Sequence, residues 1–168
     1  GTYDSGLNYL DLDENKFYHY KYQEDNENSI SHNIIKSLLH DSDKNIWVGT
    51  YNGLCLINGS NKKIKRFSKK RDFLYNIDYK TFHNFIVRSL FEDKDGNIYV
   101  GIWNFGLFQY QKADSSFKKF DIQCQFDPYY IFQYSKSNLW MVTKTGLYLI
   151  NDFTNSVYTK FNILNGSP

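Results

Sequence analysis

The 168-residue sequence predicts an all-β fold, a β-propeller fragment of about three and a half four-stranded antiparallel blades, on three observations. First, one unit recurs along the chain. Its equivalent glycines, Gly6, Gly53, Gly106 and Gly146, are spaced 47, 53 and 40 residues apart, the period of a propeller blade. Second, the apolar segments are short and bounded by Gly, Asn and Asp. Paired-helix repeats would need stretches of roughly 10–15 residues with apolar positions at 3.6 spacing. Third, 19% of the residues are aromatic and Ala113 is the only alanine, which favours pleated, packed strands.

The first full unit holds four strands, A to D: Ile34–Asp41, Asn45–Thr50, Gly53–Ile57 and Lys63–Phe67. The second reads Ile86–Asp93, Asn97–Gly101, Gly106–Tyr110 and Phe117–Phe120, and a more diverged third runs from Tyr129 to Phe161. Ahead of them, residues 1–20 match only strands C and D. The expected divisions are therefore a half blade over 1–20 and blades over 31–69, 85–121 and 128–162. A leading half unit implies a piece of a longer ring, whose open ends meet the remaining blades of the same protein or another copy of the chain.

Each strand carries the pattern its place requires. In strand B, Ile46 and Val48 point one way and Trp47 the other, and strand C is a solid apolar run, Leu54 to Ile57. A half-exposed sheet would alternate apolar with polar residues, so these strands are read as buried on both faces. Trp47, Tyr99 and Trp140 are accordingly placed in the core between blades. Strand D is more polar; Lys63, Lys65 and Arg66 are read as charges guarding an outer edge. The A–B turns, Asp41–Asn45 and Asp93–Asn97, use residues that tolerate positive φ, and a Gly-Leu step opens each strand C.

Composition excludes several classes of function. A net charge of +2 gives no basis for binding nucleic acid or a membrane surface. No apolar run approaches the roughly 18 residues of a membrane span. Cys55 and Cys124 fall in different repeats and form no metal-type pair. His19, His32, His40 and His83 show no metal or triad spacing. Read as a calcium loop, the stretch from Asp93 would put Ile98 and Asn104 where Gly and Glu are needed. No metal, cofactor or catalytic residue is expected. A propeller enzyme would need His, Glu or Asp toward the channel, where strand A offers Lys36, Arg88 and Gln133.

Aromatic residues outside the strands are the candidate ligand contacts. Tyr3, Tyr51 and Trp103 sit in the B–C turns, where exposed rings stack on the apolar face of a sugar. The D–A segments, Lys21 to Asn33 and Lys70 to Asn84, frame the same face, and the second carries Tyr75, Tyr79, Phe82 and His83.

The stretch Asn28–Asp41, followed by Asn45–Thr50 and Asn52-Gly53-Leu54, resembles the two-component regulator propeller repeat, and the pattern recurs from Asp93 to Gly101. The third unit departs from it, with Val142 in place of the glycine and no acidic A–B turn. The resemblance implies the periplasmic sensor region of a membrane-bound, homodimeric hybrid histidine kinase that responds to an oligosaccharide. A non-catalytic protein-binding scaffold is the alternative, and a propeller lyase or glycosidase a third.

Overall fold

The structure is a computed structural model that describes residues 1–67, 85–120, 127–135, 138–152 and 157–161. Fourteen β-strands and no helix are found among these residues. They are β1 (Leu7–Asp11), β2 (Lys16–Tyr20), β3 (Ile35–His40), β4 (Ile46–Thr50), β5 (Gly53–Ile57), β6 (Ile64–Phe67) and β7 (Val87–Glu92). There follow β8 (Ile98–Ile102), β9 (Gly106–Gln111), β10 (Ser116–Lys119), β11 (Tyr130–Ser135), β12 (Asn138–Thr143), β13 (Gly146–Asp152) and β14 (Val157–Phe161). One two-stranded sheet, β1-β2, precedes three four-stranded meanders in which each strand pairs with its neighbour in sequence. The chain divides into two compact units, residues 1–87 and 88–168.

In the first unit, Leu7, Ile30, Val48, Cys55 and Ile57 form a core, with Tyr20, Ile35, Ile46 and Ile64 packed against it. Val48 pairs with Cys55 across β4-β5, so alternate residues of the two strands contribute to one face. The opposite face is buried too. Trp47 is 2% exposed and stacks on Phe67, with ring centroids 5.8 Å apart. Continuous apolar strands and two covered faces therefore go together, as the sequence pattern requires.

The A–B turn is locked from within. Asp41 is buried; its Oδ1 accepts the Asn45 backbone N–H at 2.7 Å, and its Oδ2 accepts Asn45 Nδ2 at 3.1 Å and Trp47 Nε1 at 2.8 Å. The second unit repeats the device: Asp93 takes the Asn97 N–H at 2.8 Å, Asn97 Nδ2 at 2.9 Å and the Tyr99 hydroxyl at 3.1 Å. The acidic turn residue serves its own strand B aromatic, which is where the apparent calcium motif is spent. Burial, aided by the Asp93 charge, pushes the Tyr99 phenol well above its ordinary range.

Strand A meets strand B through a serine and a glycine. Ser37 pairs with Gly49, and Ser37 Oγ donates to Val87 O at 3.1 Å. A Cβ on Gly49 would overlap Ser37 Oγ and lie 2.7 Å from Val87 Cγ1. In the second unit, Ser89 Oγ donates to Pro128 O at 2.9 Å, and a Cβ on Gly101 would overlap Ser89 Oγ and approach Pro128 Cγ to 2.7 Å. Only a residue without a side chain fits so close an approach.

The second core comprises Tyr99, Leu107, Phe120, Ile131, Leu139, Met141, Tyr148 and Ile150. It takes one face of β11–β14. On the other face Tyr130 is 63% exposed, paired with Val142 at 36%. Trp140 belongs to this face and is half-buried, between Phe132 at 6.3 Å and Phe161 at 5.5 Å. The expectation that Trp140 matches Trp47 and Tyr99 in burial is corrected. No described sheet covers its side of β12.

The polar outer strand also differs from expectation in one respect. Arg66 folds back over the 23–30 segment, donating to Gln23 O at 3.1 Å, to Ile30 O at 3.0 Å, and to Ser29 Oγ. It anchors a connection as well as guarding an edge.

Candidate functional site

The B–C turns are built by a threonine that closes the loop on itself. Thr50 Oγ1 donates to Gly53 O at 2.9 Å and accepts the Asn52 N–H at 3.1 Å. Thr143 makes the same two bonds, to Gly146 O at 2.9 Å and from Thr145 N at 3.2 Å. At the start of the chain, Thr2 bonds Gly6 O at 2.8 Å. Gly53 then takes φ of 121°, a conformation open mainly to glycine. In the β8–β9 turn Ile102 stands in for threonine. That turn is one residue longer, and Phe105 N donates to Ile102 O at 3.0 Å while Asn104 adopts φ of 62°.

These turns project the residue after the threonine position, Tyr3, Tyr51 or Trp103, toward the second residue of a strand A. Lys36 Nζ lies 5.1 Å from the Tyr3 ring centroid and 5.8 Å from that of Tyr51. Tyr51 is half-buried, with the His32 ring 5.6 Å away, and Tyr3 is 75% exposed. In the second unit the Arg88 guanidinium lies 5.7 Å from the Trp103 ring and 4.9 Å from the Tyr129 ring. Trp103 is half-buried and Tyr129 is 43% exposed. Each unit thus holds a cation flanked by two aromatic rings, worth about 0.5–1 kcal/mol per ring at exposed sites.

Tyr3, Tyr51 and Trp103 were all anticipated as ring contacts, and the structure adds what they surround. Tyr51 and Trp103 are half-buried rather than freely exposed, because each leans on a strand A cation. The sequence pattern marked Lys36 and Arg88 as channel-side residues without tying them to the turn aromatics, and it passed over Tyr129. The signal was present: Lys36 and Arg88 each stand one residue before the strand A serine. Tyr75, Tyr79 and His83 lie outside the described residues, as does Cys124.

The remaining chemistry is sparse. Among the described residues, no three His, Cys, Asp or Glu side chains gather as metal ligands. Cys55 is a free thiol whose ionisation is held back chiefly by burial. His19, exposed on β2, contacts Asn8 Oδ1 at 2.6 Å and stacks on Phe17. No described helix is long and apolar enough to cross a membrane.

Comparison with known proteins agrees with this architecture. Residues 29–52 and 82–104 match the two component regulator propeller family. Two stretches of the chain thus match two-component regulator propeller repeats. Among solved structures it is similar to the extracellular domain of the hybrid two component system BT4673 of B. thetaiotaomicron, with a TM-score of 0.79 and 24% identity. The match covers 99% of this chain and 21% of that one. The extracellular domain of the B. thetaiotaomicron system BT3049 gives a TM-score of 0.73 at 24% identity, over 94% of this chain and 21% of its own. The chain therefore spans about a fifth of the length of these extracellular domains. Virginiamycin B lyase from Staphylococcus aureus also shares the fold, with a TM-score of 0.68 at 16% identity, over 95% of this chain and 49% of the lyase. No curated protein matches the sequence significantly. One fold is thus shared by two component systems and a lyase, so chemistry must be argued from the site.

Proposed function

We propose that the two-component regulator propeller repeats of this chain form part of the extracytoplasmic sensor region of a hybrid histidine kinase, periplasmic in location, and act by recognition without catalysis. The ligand is an oligosaccharide, bound where the B–C turns meet strand A. The observation that carries this reading is the repeated cluster, Tyr3–Lys36–Tyr51 and Arg88–Trp103–Tyr129. Sugars present an apolar face to aromatic rings and hydroxyls to charged donors, and both kinds of group stand together here.

Signalling then requires that ligand favour one of two arrangements of the sensor dimer, since a ligand shifts an equilibrium only by its differential affinity. Tyr75, Tyr79 and His83 are carried in this proposal as further contacts from the D–A segment. Calorimetry of the full protein that carries this chain, against a broad oligosaccharide panel, tests the reading. Micromolar to millimolar binding that weakens in Trp103→Ala supports it, and silence across the panel overturns it.

A further inference from the structure

Lys36 and Arg88 occupy the same place in successive repeats, one residue before the serines that face Gly49 and Gly101. Both are cations held over rings, and among the described residues neither forms an ion pair with a carboxylate. Among the described residues, the buried Nε of Arg88 has no hydrogen-bond partner. Asp127, two residues before Tyr129, does not compensate it: the two side chains form no ion pair, and Asp127 Oδ1 is itself buried without a partner among the described residues. A guanidinium with an unused donor is costly to maintain for packing alone, because a buried donor that gives up water without a new partner loses stability. An aliphatic residue would cover the same ring surface without that cost.

We infer that the ligand is an acidic saccharide, and that Arg88 and Lys36 each read a carboxylate or sulfate on a sugar unit lying against the neighbouring rings. This rests on the sensor reading above and narrows it to one ligand class. The chemistry suits each part. Arginine presents parallel N–H groups to a planar carboxylate or to sulfate oxygens, whereas lysine acts as a compact point charge. Tyr3 and Tyr129 keep open ring surface beside the cations for the apolar face of the same unit. A neutral sugar would satisfy the rings and offer the cations hydroxyls but no opposite charge.

The test is calorimetry of the full protein that carries this chain, using saccharides of equal length in matched forms. These are neutral galacto-oligosaccharides, oligogalacturonides, the methyl esters of those oligogalacturonides, and O-sulfated galacto-oligosaccharides. The expected result is binding of at least one acidic form at least tenfold tighter than its neutral counterpart, with affinity falling as salt rises. Preference for the oligogalacturonide names a carboxylate as the anion, and preference for the O-sulfated form names a sulfate. Arg88→Gln and Lys36→Gln should each cut that affinity tenfold or more and narrow the gap between the acidic form and its neutral counterpart. The comparison of acid with methyl ester is made on the unaltered protein, so it holds even if a variant folds poorly. Equal or tighter binding of the neutral forms overturns the acidic ligand and leaves the sensor reading standing. An acid preference that survives both substitutions overturns the assignment to Arg88 and Lys36. If no member of either set binds, both readings fall together.

Discussion

The indole N–H of Trp47 donates to Asp41 Oδ2 at 2.8 Å, so a turn carboxylate and a core aromatic six residues later satisfy each other. The same carboxylate also holds Asn45, which makes one side chain responsible for both the A–B turn and the anchoring of strand β4. Asp41→Ala should therefore destabilise the protein by about 2–4 kcal/mol, since it strands a buried indole donor and a turn amide together. Trp47→Phe in the Asp41→Ala background should cost less than the same change in the unaltered protein. Urea unfolding of the four proteins measures that coupling, and strictly additive losses would rule the link out.

The close approach at Gly49 sets a second expectation. Gly49→Ala should destabilise by about 1–3 kcal/mol, because the added methyl meets Ser37 and Val87 with no room to move aside. Val142→Ala, at the equivalent position of the third sheet, should stay within about 1 kcal/mol, since Val142 is 36% exposed. Thermal unfolding of the two variants side by side checks the contrast.

Lys44 offers a route to a more stable protein. It adopts φ of 64° in the turn where the second unit uses Gly96, at φ of 78°. A side chain there costs about 1–2 kcal/mol in the left-handed region, offset in part by the greater chain entropy of glycine. Lys44→Gly should raise stability by about 0.5–1 kcal/mol, read as a higher urea midpoint with an unchanged slope.

Alkaline pH should unfold the protein through its tyrosines. Tyr99 is raised by burial and by Asp93, and Tyr18 is pushed up to about 12 by its hydrogen bond to Glu14. A folded-state pKa above the unfolded value of about 10 means the unfolded chain releases its protons first. Stability is then fully present below pH 10 and declines as pH climbs toward 12 and beyond. Melting temperatures taken across that range should fall more gently in Tyr99→Phe than in the unaltered protein.

Cys55 should be chemically quiet. Its thiol is buried, accepts the Ser31 N–H at 3.1 Å, and resists ionisation. In a Cys124→Ser background, iodoacetamide should modify Cys55 only as fast as the fold opens, at least a hundredfold slower than in urea. Rapid labelling under native conditions would show that this part of the core is not closed.

The sheet plan was legible because its determinants are local. Gly, Asp and Asn mark turns by their backbone freedom, and continuous apolar runs such as Leu54 to Ile57 mark strands with two covered faces. Long-range side-chain bonds left no such trace. Nothing near Arg66 in the sequence points to Ser29 and Ile30, some 36 residues earlier, and its donors reach them only after the sheet has formed. The candidate site was half legible for the same reason. Aromatic turn residues stand out in composition, but the partnership of Trp103 with Arg88 exists only once two strands and a turn converge. Trp140 misled because its local pattern matches that of Trp47, while burial depends on what faces the sheet. Val142, in place of a glycine, was the available warning.

Serine facing glycine leaves a backbone-deep notch at the first and second four-stranded sheets, and each notch receives the segment that follows, Val87 in one case and Pro128 in the other. Tandem duplication of either stretch would extend the array with its seam already shaped. The third stretch fills the notch with Tyr130 and Val142. A copy added after it would seat as closely only once both positions had mutated, so two of the three units are ready templates for growth by gene duplication and the third is not.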